Sequence, residues 1–201
     1  MLNAKIRNGW DRVMRPTGRA LSRWGIGANA ITVFGLLITG VTGFLIIEGR
    51  LVAAGLVAIV AALADTVDGA VAKAAGTASK FGALLDSTSD RLSDALFFVP
   101  VAWLYGVSPD AAQVNDRWVA ALALTALVLS FLVSYVKARA EGLGYDCNVG
   151  IVERAERLIL MIIALVFNDI MPLVLGILTA LSFVTVVQRL VHVRRQARSA
   201  G

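Results

Sequence analysis

Apolar residues come in six long runs, at about residues 30–47, 51–72, 82–105, 117–138, 155–168 and 171–191, separated by short polar breaks. Several runs approach the roughly 20 residues needed to cross the hydrocarbon core of a bilayer as a helix. The pattern therefore predicts six transmembrane helices. The break at Glu48-Gly49-Arg50 leaves room only for a tight turn, so the first two helices should form an antiparallel hairpin. Ala74–Lys80, Ser108–Asp116, Glu141–Val152 and Asn168–Asp169 read as the other connections, each rich in residues that break helices. Ahead of the first run, residues 1–24 set Lys5, Arg7, Arg12, Arg15, Arg19 and Arg23 among Leu2, Ile6, Trp10, Val13, Leu21 and Trp24. Their spacing is partly helical and is broken near Pro16 and Gly18, which suits an amphipathic segment lying on the membrane surface.

Composition agrees with an all-α integral membrane protein: 58% of the 201 residues are hydrophobic and the mean hydropathy is +0.75. Residues 1–25 lack the uninterrupted apolar core of a cleavable signal. The expected organisation is a juxtamembrane segment (1–24), a six-helix membrane domain (25–193) and a basic tail (194–201). Of the 19 Lys and Arg residues, all but Arg50 and Arg117 fall on one side of the predicted topology. The positive-inside rule puts that side, with both termini, in the cytoplasm, and Trp103 and Trp118 then sit near the opposite interface. The net charge of +5 thus reflects orientation in the cell membrane. Nothing interleaves aromatic and basic residues as a nucleic-acid platform does. The single Cys147 excludes an intrachain disulfide and reads as an incidental thiol in a cytoplasmic loop. His192, the only histidine, follows the last apolar run, so neither a Ser–His–Asp site nor a His-rich zinc site is supported.

Against this background Asp65, Asp68, Asp86 and Asp90 stand out, because they fall inside the second and third apolar runs. A carboxylate at the centre of a membrane helix costs about 2.5–3.5 kcal/mol on insertion scales. Asp65 and Asp68 are spaced i, i+3 and Asp86 and Asp90 i, i+4, so each pair shares a helix face. The topology brings all four to a common depth near the cytoplasmic side, within about two turns of it. No lysine lies in the same turns, and Arg91 beside Asp90 points to a different face. Cations must therefore share the site if all four are to stay ionised. Oxygen ligands favour Mg²⁺, Mn²⁺ or Ca²⁺ over zinc, and a pair of such ions suits displacement at phosphorus. Intramembrane carboxylates also mark ion pathways, so a divalent-cation transporter is the alternative of a different class. Here the acids cluster near one face, and no polar residues continue a path to the other.

Asp65-Thr66-Val67-Asp68-Gly69-Ala70-Val71-Ala72-Lys73, followed after eight residues by Gly82-Ala83-Leu84-Leu85-Asp86-Ser87-Thr88-Ser89-Asp90, resembles the signature of the CDP-alcohol phosphotransferases. That signature reads D-x-x-D-G-x-x-A-R, eight residues, G-x-x-x-D-x-x-x-D, and only Lys73 departs from it. The resemblance implies attack of an acceptor hydroxyl on the β-phosphorus of a CDP-linked lipid, with CMP leaving. It implies that Asp65, Asp68 and Asp86 hold a pair of Mg²⁺ or Mn²⁺ ions, with Asp90 a further ligand or the general base. Gly69 and Ala72 would pack against the nucleotide, with Thr66, Lys80 and Gly82 beside it, and Lys73 would contact the diphosphate. Gly27-Ala28-Asn29-Ala30-Ile31-Thr32 resembles the family's T-P-[ND]-x-[IV]-T, with Ala28 in place of proline; Asn29 and Thr32 would hold the nucleotide, unless Asn29 only caps the helix.

Three further segments resemble the actinobacterial phosphatidylinositol phosphate synthases within that family: Ser134-Tyr135-Val136-Lys137-Ala138-Arg139-Ala140-Glu141, Glu153-Arg154-Ala155-Glu156-Arg157-Leu158 and Val187-Gln188-Arg189-Leu190. The match implies that Ser134, Lys137, Arg139, Arg157 and Arg189 bind inositol phosphate, with Arg154 behind them. Ala155 stands where that pattern has proline. A glycerol phosphate acceptor, as in phosphatidylglycerophosphate synthase, is the nearest rival, because both acceptors are phosphorylated polyols. The resemblance further implies CDP-diacylglycerol as donor, two metal ions and a homodimer among membrane lipids.

Overall fold

The computed structural model describes residues 27–75, 79–108 and 116–199, with residues 66–75 described by their backbone alone. The six apolar runs form six helices: α1 (Ala28–Ile47), α2 (Leu51–Ala75), α3 (Lys80–Gly106), α4 (Arg117–Gly142), α5 (Arg154–Val166) and α6 (Met171–Ser199). There is no strand among the described residues. The predicted amphipathic segment, residues 1–24, lies outside them.

Local chemistry accounts for the helix boundaries. α1 ends in a Schellman closure: Gly49 N–H donates to Ile46 O and Arg50 N–H to Leu45 O, both at 2.9 Å. Gly49 takes φ +70°, which costs a residue without a side chain little. Ser79 caps α3 by accepting from Gly82 N–H at 2.9 Å. α5 opens with a capping box in which Glu153 and Glu156 each accept the other's backbone N–H. Two boundaries differ from expectation. Asn168–Ile170 forms a 3₁₀ turn where a plain connection was expected. Residues 194–199 continue α6 as helix, because Arg and Gln favour helix and Gln196 is held by the backbone of Asp146.

The helices pack mainly in a ring, with α3 and α5 also touching across it. α1 lies against α2 and α3, α3 against α4, α4 against α6, α6 against α5, and α5 against α2, which closes a ring. Its interior is filled by residues such as Ile46, Phe97, Phe98, Val101, Met161, Leu165, Leu175 and Leu178. Phe34, Leu37, Phe44, Leu56, Leu173 and Phe183 are exposed on the outside, an arrangement that suits a lipid surround and would be a liability in water. By length and composition α1, α4 and the Asn168–Ser199 stretch can cross a membrane. The other three differ from these. α5 has 13 residues, about 20 Å at 1.5 Å per residue, against a core of about 30 Å. α3 carries Asp86, Asp90, Arg91 and Asp94, and the part of α2 whose side chains are described, Leu51–Asp65, is apolar.

Small residues let the helices approach closely, as membrane packing requires. A Cβ on Gly43 would lie 2.8 Å from the Leu96 carbonyl oxygen and 3.2 Å from Pro100 Cγ. Pro100 has no N–H to give the carbonyl four residues back, which is that of Leu96. α1 therefore sets a glycine against the one stretch of α3 whose backbone pairing is broken. Gly43→Ala should destabilise the detergent-solubilised protein by about 1–3 kcal/mol through overpacking. Gly40→Ala, where an added Cβ meets nothing within 4 Å, should be neutral or slightly stabilising. Thermal unfolding of the two variants side by side checks this.

Candidate active site

The chain order of the ring brings the C-terminal part of α2, the N-terminal part of α3 and the start of α5 to the same end of the bundle. There Asp65 from α2 meets Asp86 and Asp90 from α3, and one oxygen from each lies within 4.8 Å of the others. Asp86 is exposed, and Asp65 and Asp90 are partly buried. Three converging oxygens at that spacing fit a hard divalent cation. Asp90 Oδ1 fits it further, since it is buried without a hydrogen-bond partner. Of Asp68, the fourth member of the motif, and of Thr66, Gly69, Ala72 and Lys73, only the backbone is described.

Arginines surround the carboxylates. Arg154 Nη1 is 2.6 Å from Asp65 Oδ2 and 3.0 Å from Asp90 Oδ1. α5 begins against α2, so its first residue reaches the carboxylates directly, and it also borders the space where the acceptor residues were expected. Arg91 also reaches Asp90, at 3.4 Å, although its shorter bond, 2.5 Å, goes to the Ser87 carbonyl one turn back. One turn beyond Asp90, Asp94 accepts from Arg157 Nη2 at 2.8 Å. Asp94 was missed in the sequence, although its i+4 spacing from Asp90 continues the Asp86–Asp90 face.

A cavity of about 310 Å³ opens beside Asp90. Ser134, Lys137, Arg157 and Arg189, four of the five residues expected to bind the acceptor, line it together with Arg91, Asp94 and Arg154. Arg139 is exposed on α4 and does not line it. On the other side of Asp65 a narrow pocket is bordered by Thr32, Gly35 and Thr39 of α1, and by Arg154. Asn29 and Lys80 are exposed at the starts of α1 and α3. The cap of α1 is Gly27, so Asn29 stands inside the first turn and does not cap it. Its Oδ1 lies 3.4 Å from where a Gly82 Cβ would be, so α1 and α3 start side by side there.

The connection from α4 to α5 is held against α6. Thr185 Oγ1 accepts from Ile151 N–H at 3.3 Å and Val152 N–H at 3.2 Å. Arg189 Nε donates to Val149 O at 2.8 Å, and its Nη1 donates to Val133 O. Gln196 completes the row on Asp146. Arg189 is therefore only 3% exposed and largely spent on backbone carbonyls. This row fixes where α5 starts, and so where Arg154 and Arg157 point. Cys147 lies in the same connection, and burial pushes its thiol above the usual range. That agrees with an inert thiol.

The CDP-alcohol phosphatidyltransferase family matches residues 26–188. The chain belongs to that family. Among its relatives, the archaetidylinositol phosphate synthase of Pyrococcus horikoshii is 34% identical, with 96% of this chain and 97% of that one aligned. The phosphatidylinositol phosphate synthase of Corynebacterium glutamicum is 36% identical over 95% of this chain and 88% of that one. Crystal structures of the phosphatidylinositol phosphate synthase of Mycobacterium tuberculosis superpose along most of the chain. With CDP-DAG bound the TM-score is 0.82, at 32% identity over 90% of this chain and 94% of that one. With manganese and citrate it is 0.81, at 33% identity over 90% and 88%.

In this member of the family the α6 row is open to a direct test. Thr185→Val removes the acceptor of two loop N–H groups, each costing about 1–3 kcal/mol when left unpaired and buried. Hydrogen exchange at residues 149–153 should rise, and turnover should fall with the carboxylates untouched.

Proposed function

We infer that this protein transfers the phosphatidyl group of CDP-diacylglycerol to inositol phosphate, giving phosphatidylinositol phosphate and CMP. It is a metal-dependent phosphatidyltransferase of phospholipid biosynthesis. The observation that carries the reading is the adjoining of two unlike sites: a cluster of carboxylates, and a cavity whose cations come from α4, α5 and α6. A phosphorylated acceptor needs that second site, and free inositol or serine does not. The relatives support the acceptor in particular. The archaeal and bacterial enzymes are named for different lipids but for the same inositol phosphate head group.

Asp65, Asp68, Asp86 and Asp90 would hold Mg²⁺ or Mn²⁺, as two ions. When bound, these polarise the diphosphate and stabilise the leaving CMP oxygen. The chain's own residues do the rest. Asn29, Thr32, Thr66, Gly69, Ala72, Lys73, Lys80 and Gly82 keep the nucleotide end of the lipid against α1–α3. Lys137, Arg157 and Arg189, with Ser134, orient the acceptor phosphate in the cavity beside Asp90; Arg139 acts from the rim. Asp90 takes the proton of the attacking hydroxyl as the new P–O bond forms and the bond to CMP breaks. Charge-assisted contacts of this kind favour a phosphate over an uncharged head group.

The same reading has all six helices spanning the membrane, preceded by residues 1–24 on its surface, with the termini and the site facing the cytoplasm. What supports it is the bias of Lys and Arg toward the end of the bundle that carries the aspartates. The functional unit is a homodimer by family resemblance.

CMP release from CDP-diacylglycerol should be fastest with inositol phosphate in a panel that includes glycerol phosphate, inositol and serine. Preference for glycerol phosphate would make the protein a phosphatidylglycerophosphate synthase. Asp90→Asn should lower turnover by at least about 10²-fold, the usual scale for a lost general base, while CDP-diacylglycerol still binds.

A further inference from the structure

The guanidinium of Arg154 lies where the carboxylates converge. A single nitrogen, Nη1, reaches Asp65 Oδ2 on α2 at 2.6 Å and Asp90 Oδ1 on α3 at 3.0 Å. Both aspartates belong to the cluster whose oxygens lie within 4.8 Å of one another. Of the two other arginines nearby, Arg91 divides between the Ser87 carbonyl and Asp90 Oδ2, the latter at 3.4 Å, and Arg157 pairs with Asp94. Among the described residues, Arg154 bonds only to the two carboxylates. The contact with Asp90 is ionic and lacks hydrogen-bond alignment, since Oδ1 has no hydrogen-bond partner. It is therefore one that can be exchanged.

Two cations compete for these oxygens. A lone pair directed at a guanidinium is not available to a metal, and a fixed positive charge within a few ångströms repels a divalent ion. Arg154 also borders both the narrow pocket beside α1 and the larger acceptor-side cavity. A short swing thus carries its charge from one to the other.

We propose that Arg154 is a positioning residue that serves as a displaceable counter-cation: it holds Asp65 and Asp90 together, opposes divalent metal at them, and turns toward the acceptor-side cavity when metal takes their oxygens. Two consequences follow from the charges. The diphosphate of the CDP-lipid adds negative charge that offsets Arg154, so metal binds well only along with the donor. Displaced Arg154 then adds a cation to the pocket that receives the acceptor phosphate. This role rests on the metal reading of the aspartates.

The probe is Mn²⁺, followed by electron paramagnetic resonance on the full-length protein in detergent, with and without CDP-diacylglycerol. Arg154→Gln should bind Mn²⁺ about tenfold more tightly without the lipid, the scale of removing one adjacent like charge. The lipid should then improve binding less than in the wild type, and KM for inositol phosphate should rise. Arg154→Met, which removes the charge at similar length, should tighten Mn²⁺ by a similar factor and gives the same reading if the glutamine variant does not fold. Arg194→Gln, an exposed position on α6, controls for net charge and should leave Mn²⁺ affinity unchanged. Unchanged or weaker Mn²⁺ binding in the folded Arg154 variants overturns the proposal while leaving the metal site standing. No Mn²⁺ binding by the wild type overturns both.

Discussion

Carboxylates on apolar helices have to be matched by positive charge or drawn to water, and both happen at one end of this bundle. Asp86 is exposed, while Asp65 and Asp90 share the guanidinium of Arg154. That shared contact ties α5 to the consecutive helices α2 and α3, Arg154 being 89 residues from Asp65. The pocket beside α1 and the acceptor-side cavity both take a wall from Arg154. Charge balance at this point therefore shapes the space on either side of it.

Such a contact needs α5 to start at a defined place, and α5 is too short to be anchored by apolar length alone. Its start is set by the capping box at Glu153 and Glu156 and by the α6 residues Thr185 and Arg189, which hold the preceding loop. The acceptor side thus depends on backbone hydrogen bonds made by a helix that brings a single charge, Arg189, to the cavity. Arg189 illustrates this. It lines the cavity, yet its guanidinium is committed to carbonyl groups, so its part in binding a phosphate goes together with holding the loop.

The helices were legible because each is a long apolar run, and such runs in a membrane have one way to satisfy their backbone. The aspartates were legible because carboxylates there are costly and their spacing puts them on one face. Ser134, Lys137 and Arg157 were found through resemblance, and they meet at the cavity. Asp94 was not found, since an aspartate one turn past a motif looks like any other until Arg157 is seen against it. That Arg154 also reaches Asp65 and Asp90 was not found, because the order of helices around the ring is not written in hydropathy. The close fit of Gly43 against the Leu96 carbonyl was hidden for the same reason.

Local and periodic properties belong to the sequence: which stretches are helical, where they turn, and that four aspartates recur on two adjacent helices. These depend on residues near one another in the chain, whose backbone and burial preferences act over a few turns. Pairings across the bundle belong to the tertiary structure. Whether Arg154 meets Asp65 or a distant acceptor, and whether Arg189 is free or spent, depends on which helices are neighbours. Packing and long-range charge decide that, and neither is a function of local spacing.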